Sequence, residues 1–400
     1  MKTVTRFLAV ATFALVSAAA VLPSTAAPAK DDDPPMSVYL AKGGPNACGE
    51  NCSEWIAAEG VIGVGSVARF RAVLARAGKQ NLPVFFNSPG GRINEALAIG
   101  RILRQKGLTA GVARTKPVRC ADEKKEAECR DLKKSNEKLE AVLQAPFAYC
   151  SSACVYMLAG AKIRDVPPAI RLGVHSARPV RVEESSRPKS FDPARLTSRD
   201  KAAKKRVDEK LRAYIREMGI DTRLLDEANA VPNDKINYLT RNQIAEFGID
   251  RREFQETAWS FSESASSKPS ISKFFLEAQD GERREFLTSY LRATCSIGES
   301  RVSLFYSRGL VSGEAKKLQL NLSIGTANVP VSAAGVHAYD WLENKRMFEA
   351  RVGQVDFSLL DPASNTFEVI ETSWAPPAPS VHIIRLSSSG WSEALGKLRG

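Results

Sequence analysis

The sequence predicts an α/β domain followed by a smaller, mostly antiparallel β domain. Three observations carry this. Leu82-Pro-Val-Phe-Phe86 is a continuous apolar run, the pattern of a strand buried on both faces in a parallel sheet. It is followed by the Gly90-Gly91 turn, a helical stretch with Ile93, Ala96, Leu97, Ile99 and Leu103 as apolar positions, and another strand over residues 108–113. That order reads as a right-handed parallel unit. Beyond residue 272 the apolar residues recur with period two, as in Val302-Ser-Leu-Phe-Tyr306 and Leu318-Gln-Leu-Asn-Leu-Ser-Ile324, with turn residues between the runs.

The N-terminus reads as a secretory leader over residues 1–27. Lys2 and Arg6 form a basic start, residues 7–22 are uncharged and apolar, and Ser24-Thr25-Ala26 supplies small residues for cleavage. The run is short and alanine-rich for a membrane anchor, and Asp31-Asp32-Asp33-Pro34-Pro35 follows as a polar linker. The expected location is therefore periplasmic or secreted, an oxidising compartment.

Export gives the cysteines meaning. Six of the seven fall into close pairs, Cys48/Cys52, Cys120/Cys129 and Cys150/Cys154, with Cys295 left over. Many connectivities are open to six cysteines, so this local pairing rests on proximity alone. No histidine lies near the first two pairs, and an all-cysteine site would need two pairs brought together, so no metal is expected. The net charge is +12. The basic residues at 199–210 alternate with acids and have no aromatic residues among them, which fits a solvated helix face rather than a nucleic-acid site. A peripheral contact with an anionic envelope surface is compatible with that charge.

Taken in order, residues 36–40 read as a short strand and Trp55-Ile-Ala-Ala-Glu-Gly-Val-Ile62 as a second short element. Val67, Phe70, Val73 and Leu74 share one helical face. Residues 116–144 are charged, helical in composition and poor in large apolar side chains, so they read as a surface insertion. Residues 170–174 form a strand that delivers His175, residues 178–197 an exposed loop, and residues 200–218 a long helix. Ile236-Asn-Tyr-Leu-Thr240 is strand-like, and Thr240 caps a helix stopped by Gly248. The serine-rich stretch 259–272 reads as a linker, and residues 273–400 as the β-rich domain, with helical segments near 274–291 and 392–398.

The chemistry concentrates in Cys150-Ser-Ser-Ala-Cys154, a knot of small residues that enters an apolar helix ending at Ala159-Gly160. A serine hydroxyl is a weak nucleophile and needs a base within hydrogen-bond reach. The tetrahedral oxyanion needs preorganised N–H donors. Glycine exposes backbone amides with no Cβ in the way, and a helix N-terminus adds a favourable dipole. Gly90 and Gly91 offer the first kind of donor and Ala153 the second. The residues alone leave either Ser151 or Ser152 as nucleophile, and leave both free simply to cap a buried helix. A Cys150–Cys154 bridge would stiffen the knot; two buried thiols are the alternative.

Asn87-Ser-Pro-Gly-Gly91, the small-Ser-small knot, the strand running into His175 and the segment Leu239-Thr240 through Ile244-Ala-Glu-Phe-Gly-Ile249 together resemble the Clp protease subunit and the wider crotonase-like superfamily. The cysteine-flanked serines are similar to a poorly characterised exported bacterial group of it. The resemblance spans residues 36–252 and leaves the C-terminal domain outside. It implies a spiral of β-β-α units, with Ser152 as nucleophile, His175 as base and Gly90 and Ala153 amides at the oxyanion. The family's aspartate should precede the closing Leu-Thr segment. Here the register falls beside Asn233 and Asp234: Asn233 lies nearer, while Asp234 carries the charge that would orient His175 best. The Gly90-to-Ser152 spacing is also longer than the family pattern, which makes residues 116–144 a flap beside the cleft pinned by Cys120–Cys129.

The function expected from this is an exported serine hydrolase, a peptidase acting on a peptide or protein, with no cofactor. The rival is a binding or scaffold protein of the envelope that keeps the cleft without catalysis. A homo-oligomer built on the helix at residues 200–218 is compatible with either.

Overall fold

Each buried strand of the first domain is followed by a second extended segment and then a helix, and this unit recurs down the chain. The computed structural model describes residues 34–120, 126–177, 198–264, 267–279, 285–295, 300–309, 318–324, 327–330, 336–340, 346–364, 367–373 and 380–399. The leader expected at residues 1–27 and the loop expected at 178–197 lie outside the described residues. Strand β1 (Ser37–Lys42) pairs antiparallel with β2 (Glu54–Glu59), which opens the first unit and leads through Val61-Ile62 to α1 (Ser66–Ala77). The second unit is β3 (Val84–Asn87), the extended Ser88–Gly91 turn and α2 (Ile93–Lys106).

The third unit is split. Its first strand, β4 (Thr109–Val112), is followed by β5 (Arg114–Pro117), α3 (Glu126–Lys134) and β6 (Leu139–Gln144) before its second strand β7 (Tyr149–Ser151) and helix α4 (Ala153–Ala159). The fourth is β8 (Ile163–Asp165), β9 (Arg171–Val174) and α5 (Ser198–Glu217). Then come α6 (Arg223–Ala230), β10 (Asn237–Tyr238) and α7 (Arg241–Glu246). The long Gly90-to-Ser152 spacing thus has a structural cause: the extra segment interrupts one unit between its two strands.

The first strands form a seven-stranded sheet in the order β5-β6-β1-β2-β3-β4-β8, parallel from β2 through β8. The second strands form another layer, in which Ile62 bridges Gly91, Ser88 bridges Cys150, β7 runs parallel to β9, and β10 is antiparallel to β9. This is the spiral of β-β-α units that the Clp protease and crotonase-like resemblance implies. The apolar run predicted as a two-sided strand behaves as such: Val84 and Phe86 enter the helix-covered core with Ile56, Leu97 and Leu158, while Phe85 faces a second cluster with Tyr39, Trp55 and Leu139. Alternation sends successive side chains to opposite faces, so a strand apolar throughout must be covered on both.

Two features differ from expectation. The segment 116–144 is helical only in its middle. β5 and β6 extend the large sheet, and Leu139 and Ala141 are buried on its second face. Its apolar residues are few and confined to a short strand, and that pattern is easily lost in a charged composition.

The stretch 259–272 is not a linker. β11 (Phe254–Glu256) already belongs to the β domain and pairs with β13 (Ser267–Gln279), and β12 (Ser260–Ser264) pairs with β13 as a hairpin in which Phe261 opposes Ile271. Nor are the described residues of 274–291 helical: β13 continues to Gln279 and pairs with β14 (Glu285–Thr294). Phe274-Phe275-Leu276 is buried throughout, and a short apolar run covered on both faces carries no period to separate strand from helix. The rest of this domain is antiparallel: β15 (Arg301–Gly309), β16 (Leu318–Ile324), β17 (Ala327–Pro330), β18 (Val336–Asp340), β19 (Arg346–Asp356), β20 (Phe367–Ser373) and β21 (Ser380–Leu386), closed by α8 (Trp391–Arg399). Among the described residues no helix is long and apolar enough to cross a membrane.

Candidate functional site

The two turns singled out in the sequence meet in space. Ser88 N–H donates to the Tyr149 carbonyl (2.9 Å) and Ser151 N–H donates to the Ser88 carbonyl (3.0 Å), so the Gly90-Gly91 turn lies beside the end of β7. Gly90 has φ +103°, and a Cβ there would lie 2.7 Å from Ser152 Cβ and 3.0 Å from the Ala153 amide nitrogen. A side chain at position 90 would therefore fill the approach to the first amide of α4. Gly91, at φ +137°, presses against the Ile62 backbone. Both glycines satisfy a backbone demand and a space demand at once.

Ser152 occupies the N-cap of α4 with φ 57° and ψ −123°, and its hydroxyl makes no capping hydrogen bond. An ordinary serine N-cap has extended dihedrals and accepts from an amide of the first turn. Here the backbone is held in a region that costs a non-glycine residue about 1–3 kcal/mol, and the usual compensation is missing. A sharp, strained strand-to-helix turn is the device by which a nucleophile elbow exposes its side chain. Ser151 differs: it is 2% exposed and sits inside β7, where a substrate cannot reach it.

All three local cysteine pairs are bridged, with Cα separations of 5.1 Å for Cys48–Cys52, 5.4 Å for Cys120–Cys129 and 5.2 Å for Cys150–Cys154. The last ties β7 to the first turn of α4, so the elbow is crosslinked across its own apex. Cys295 is buried in the β domain, where its thiol donates to the Leu398 carbonyl (3.6 Å).

The amide donors fall out differently from expectation. Gly90 N–H donates to Ser88 Oγ (3.1 Å), which in turn donates to the Gly60 carbonyl (2.7 Å). It is therefore occupied. Gly91 N–H and Ala153 N–H have no hydrogen-bond partner among the described residues. The Gly90 carbonyl accepts from Ile62 N–H (2.8 Å), and in a trans peptide the following N–H points the opposite way. Gly91 N–H is thus turned from Ile62 toward the layer that holds Ser152, and Gly91 is exposed.

His175 stands one residue past β9. Ser152 N–H donates to the Gly173 carbonyl (2.8 Å), which places the elbow two residues from the histidine on the neighbouring strand. Gly173 has no room for a side chain: a Cβ would lie 2.7 Å from Ile236 Cγ2 and 2.8 Å from Ser151 Oγ. Among the described residues no hydrogen bond joins Ser152 Oγ to the imidazole. His175 Nδ1 lies 3.0 Å from the Ser176 carbonyl. A carbonyl only accepts, so this bond requires the proton on Nδ1 and leaves Nε2 with its lone pair, the tautomer a base needs. The ring is half-buried, and desolvation lowers its pKa below the ordinary 6.5 against the opposing hydrogen bond to Ser176.

Among the described residues neither expected third member hydrogen bonds the imidazole. Ser176 N–H donates to the Val231 carbonyl (2.9 Å) and Asn237 pairs with Val174, so the loop carrying Asn233 and Asp234 arches past the end of β9. Asn233 is half-buried, Asp234 is exposed, and no hydrogen bond joins either to His175 among the described residues. The Ser176 carbonyl is the group that accepts from the ring. A main-chain carbonyl has no residue type, so no pattern in the sequence could have announced it. The closing segment after this loop is capped as expected, with Thr240 Oγ1 accepting from Gln243 N–H (3.2 Å) and Gln243 Oε1 accepting from Thr240 N–H (2.9 Å).

No protein-family model matches the chain, and no curated protein matches it. Among solved structures it is similar to a variant of the 1510-N membrane-bound stomatin-specific protease, at 14% identity, covering 48% of this chain and 75% of that chain with a TM-score of 0.31. It is also similar to a second variant of that protein in complex with a substrate peptide, at 16% identity, covering 48% of this chain and 71% of that one with a TM-score of 0.30.

Proposed function

We propose that the chain is an exported serine hydrolase that cleaves peptide bonds. In this reading Ser152 Oγ attacks the carbonyl carbon and His175 Nε2 takes its proton. The Gly91 and Ala153 amides receive the oxyanion, and the imidazolium returns its proton to the leaving amine. Water then repeats the sequence on the acyl-enzyme. The observation that carries the reading is the elbow: a serine at a helix N-terminus, at positive φ, whose hydroxyl does not cap the helix. Peptide specificity rests on the Clp-like resemblance. Export rests on the leader-like residues 1–27 and on three disulfides, which persist in oxidising compartments.

Labelling with a fluorophosphonate tests the nucleophile. Wild type and Ser151→Ala should label, and Ser152→Ala should not. A folded wild type that never labels would overturn the enzyme reading in favour of a binding protein on the same frame.

The pH dependence follows from His175. Only the neutral imidazole accepts the serine proton, so activity is lost as pH falls through its folded-state pKa. Burial lowers that pKa, and the acid limb of kcat/KM should lie below the ordinary 6.5. An acid limb at or above 6.5 would contradict the desolvated ring.

A further inference from the structure

A cavity of about 330 Å³ has a wall that combines Asn87, Pro89 and Tyr149 with the segment that interrupts the third unit. Pro89 precedes Gly90, and Tyr149 begins the strand that ends at Ser151. Asn87 Oδ1 accepts from Tyr149 N–H (3.1 Å), which closes the floor between them.

Among the described lining residues, Arg114, Lys116, Arg130 and Lys133 stand with one carboxylate, Glu59. That carboxylate is fully engaged. Glu59 Oε1 accepts from Thr115 N–H (2.8 Å), and Oε2 accepts from Tyr39 Oη (2.8 Å) and Lys133 Nζ (2.8 Å). Arg114 and Lys116 are exposed and have no ion-pair partner among the described residues. Thr115 and Pro117 between and after them are buried, so β5 alternates and turns both cations to one face. Successive same-face positions on a strand are about 6.6 Å apart, and an extended peptide repeats its side chains at the same spacing. Two exposed cations side by side on one wall of a cleft also concentrate anionic ligands.

We infer that this cleft is a specificity subsite for an acidic peptide segment, with Arg114 and Lys116 receiving carboxylates at alternate positions of an extended substrate. This rests on the peptidase reading and adds the substrate's chemistry to it.

The test uses full-length mature protein and two fluorogenic peptides, identical except for Asp-Xaa-Asp or Asn-Xaa-Asn flanking the scissile bond. The acidic peptide should be preferred roughly tenfold in kcat/KM at low ionic strength, the size expected of two exposed charge pairs. The preference should shrink with added salt and fall toward unity in the double variant Arg114→Gln/Lys116→Gln. Equal turnover of the two peptides, or a preference the double variant keeps, overturns the subsite and leaves the hydrolase standing.

Binding separates the two readings further. Fluorescence anisotropy with labelled peptides on Ser152→Ala should show the same acidic selectivity, abolished when Arg114→Gln and Lys116→Gln are added. Selective binding without any cleavage by wild type upholds the subsite while the hydrolase reading fails. Unselective binding overturns it. Competition by a single-stranded oligonucleotide as strong as that by the acidic peptide would assign the cleft to polyanions at large and overturn the peptide assignment.

Discussion

Replacing His175 by alanine is expected to lower kcat/KM by about 10,000-fold, while Asn233→Ala and Asp234→Ala stay within about threefold of wild type. The contrast follows from how the imidazole is held. In a site whose carboxylate fixes the tautomer, losing the carboxylate costs about 10,000-fold, because the ring then presents the wrong nitrogen. Here the Ser176 carbonyl already holds the Nδ1 proton at 3.0 Å, and neither Asn233 nor Asp234 hydrogen bonds the ring. Their removal changes no donor or acceptor at the base. The rate of fluorophosphonate labelling, or turnover of any peptide the wild type cleaves, separates the cases by about three orders of magnitude. A loss at Asp234 comparable to that at His175 would mean that the loop closes onto the ring when substrate binds, and that the carbonyl is not the orienting group.

How much of this was legible in the sequence depends on what kind of group does the work. The Gly90-Gly91 turn was legible because glycine there answers a backbone requirement that no other residue meets. The serine elbow was legible because small residues, cysteines and an apolar helix follow one another in order. The frame of alternating strands and helices followed from the apolar run at 82–86 and the period after it. The engagement of Gly90 N–H by Ser88 Oγ was not legible, since it depends on one rotamer and one turn angle. Nor was the orienting carbonyl. The β-strand character of 114–117, 139–144, 260–264 and 267–279 was hidden for a different reason. Their strand signals are carried by a few apolar residues among charges and serines, and the pairing partners settle the structure: Ala41 with Leu139, Phe261 with Ile271. Composition averages over those residues, whereas pairing selects them.

Gly160→Ala should destabilise the protein by about 2 kcal/mol net, although simple helix propensity predicts the reverse. Gly160 follows α4 at φ −67° and ψ −23°, helical angles at which alanine is preferred to glycine by about 1 kcal/mol. Opposing this, a Cβ at position 160 would overlap the backbone of Gly100, on α2. Backbone cannot rotate away as a side chain can, so α4 and α2 would have to separate, an overpacking cost of about 3 kcal/mol. The separation is resisted from a third side. Gly100 itself lies under the Tyr214 ring, whose hydroxyl donates to the Tyr156 carbonyl of α4 (2.9 Å), so α2, α4 and α5 meet through one contact without slack. The steric term wins, and the melting temperature should fall by about 4–8 °C in a domain of this size. Gly396→Ala in α8 is the control, because its Cβ would meet no atom within 4 Å. There propensity is unopposed, and the variant should be unchanged or more stable by up to about 1 kcal/mol. The same separation moves the N-terminus of α4, which carries the Ala153 amide and the Ser152 elbow. Gly160→Ala should therefore also slow fluorophosphonate labelling while it is still fully folded at low temperature. Unchanged stability in Gly160→Ala would mean that α2 and α4 are not in close contact.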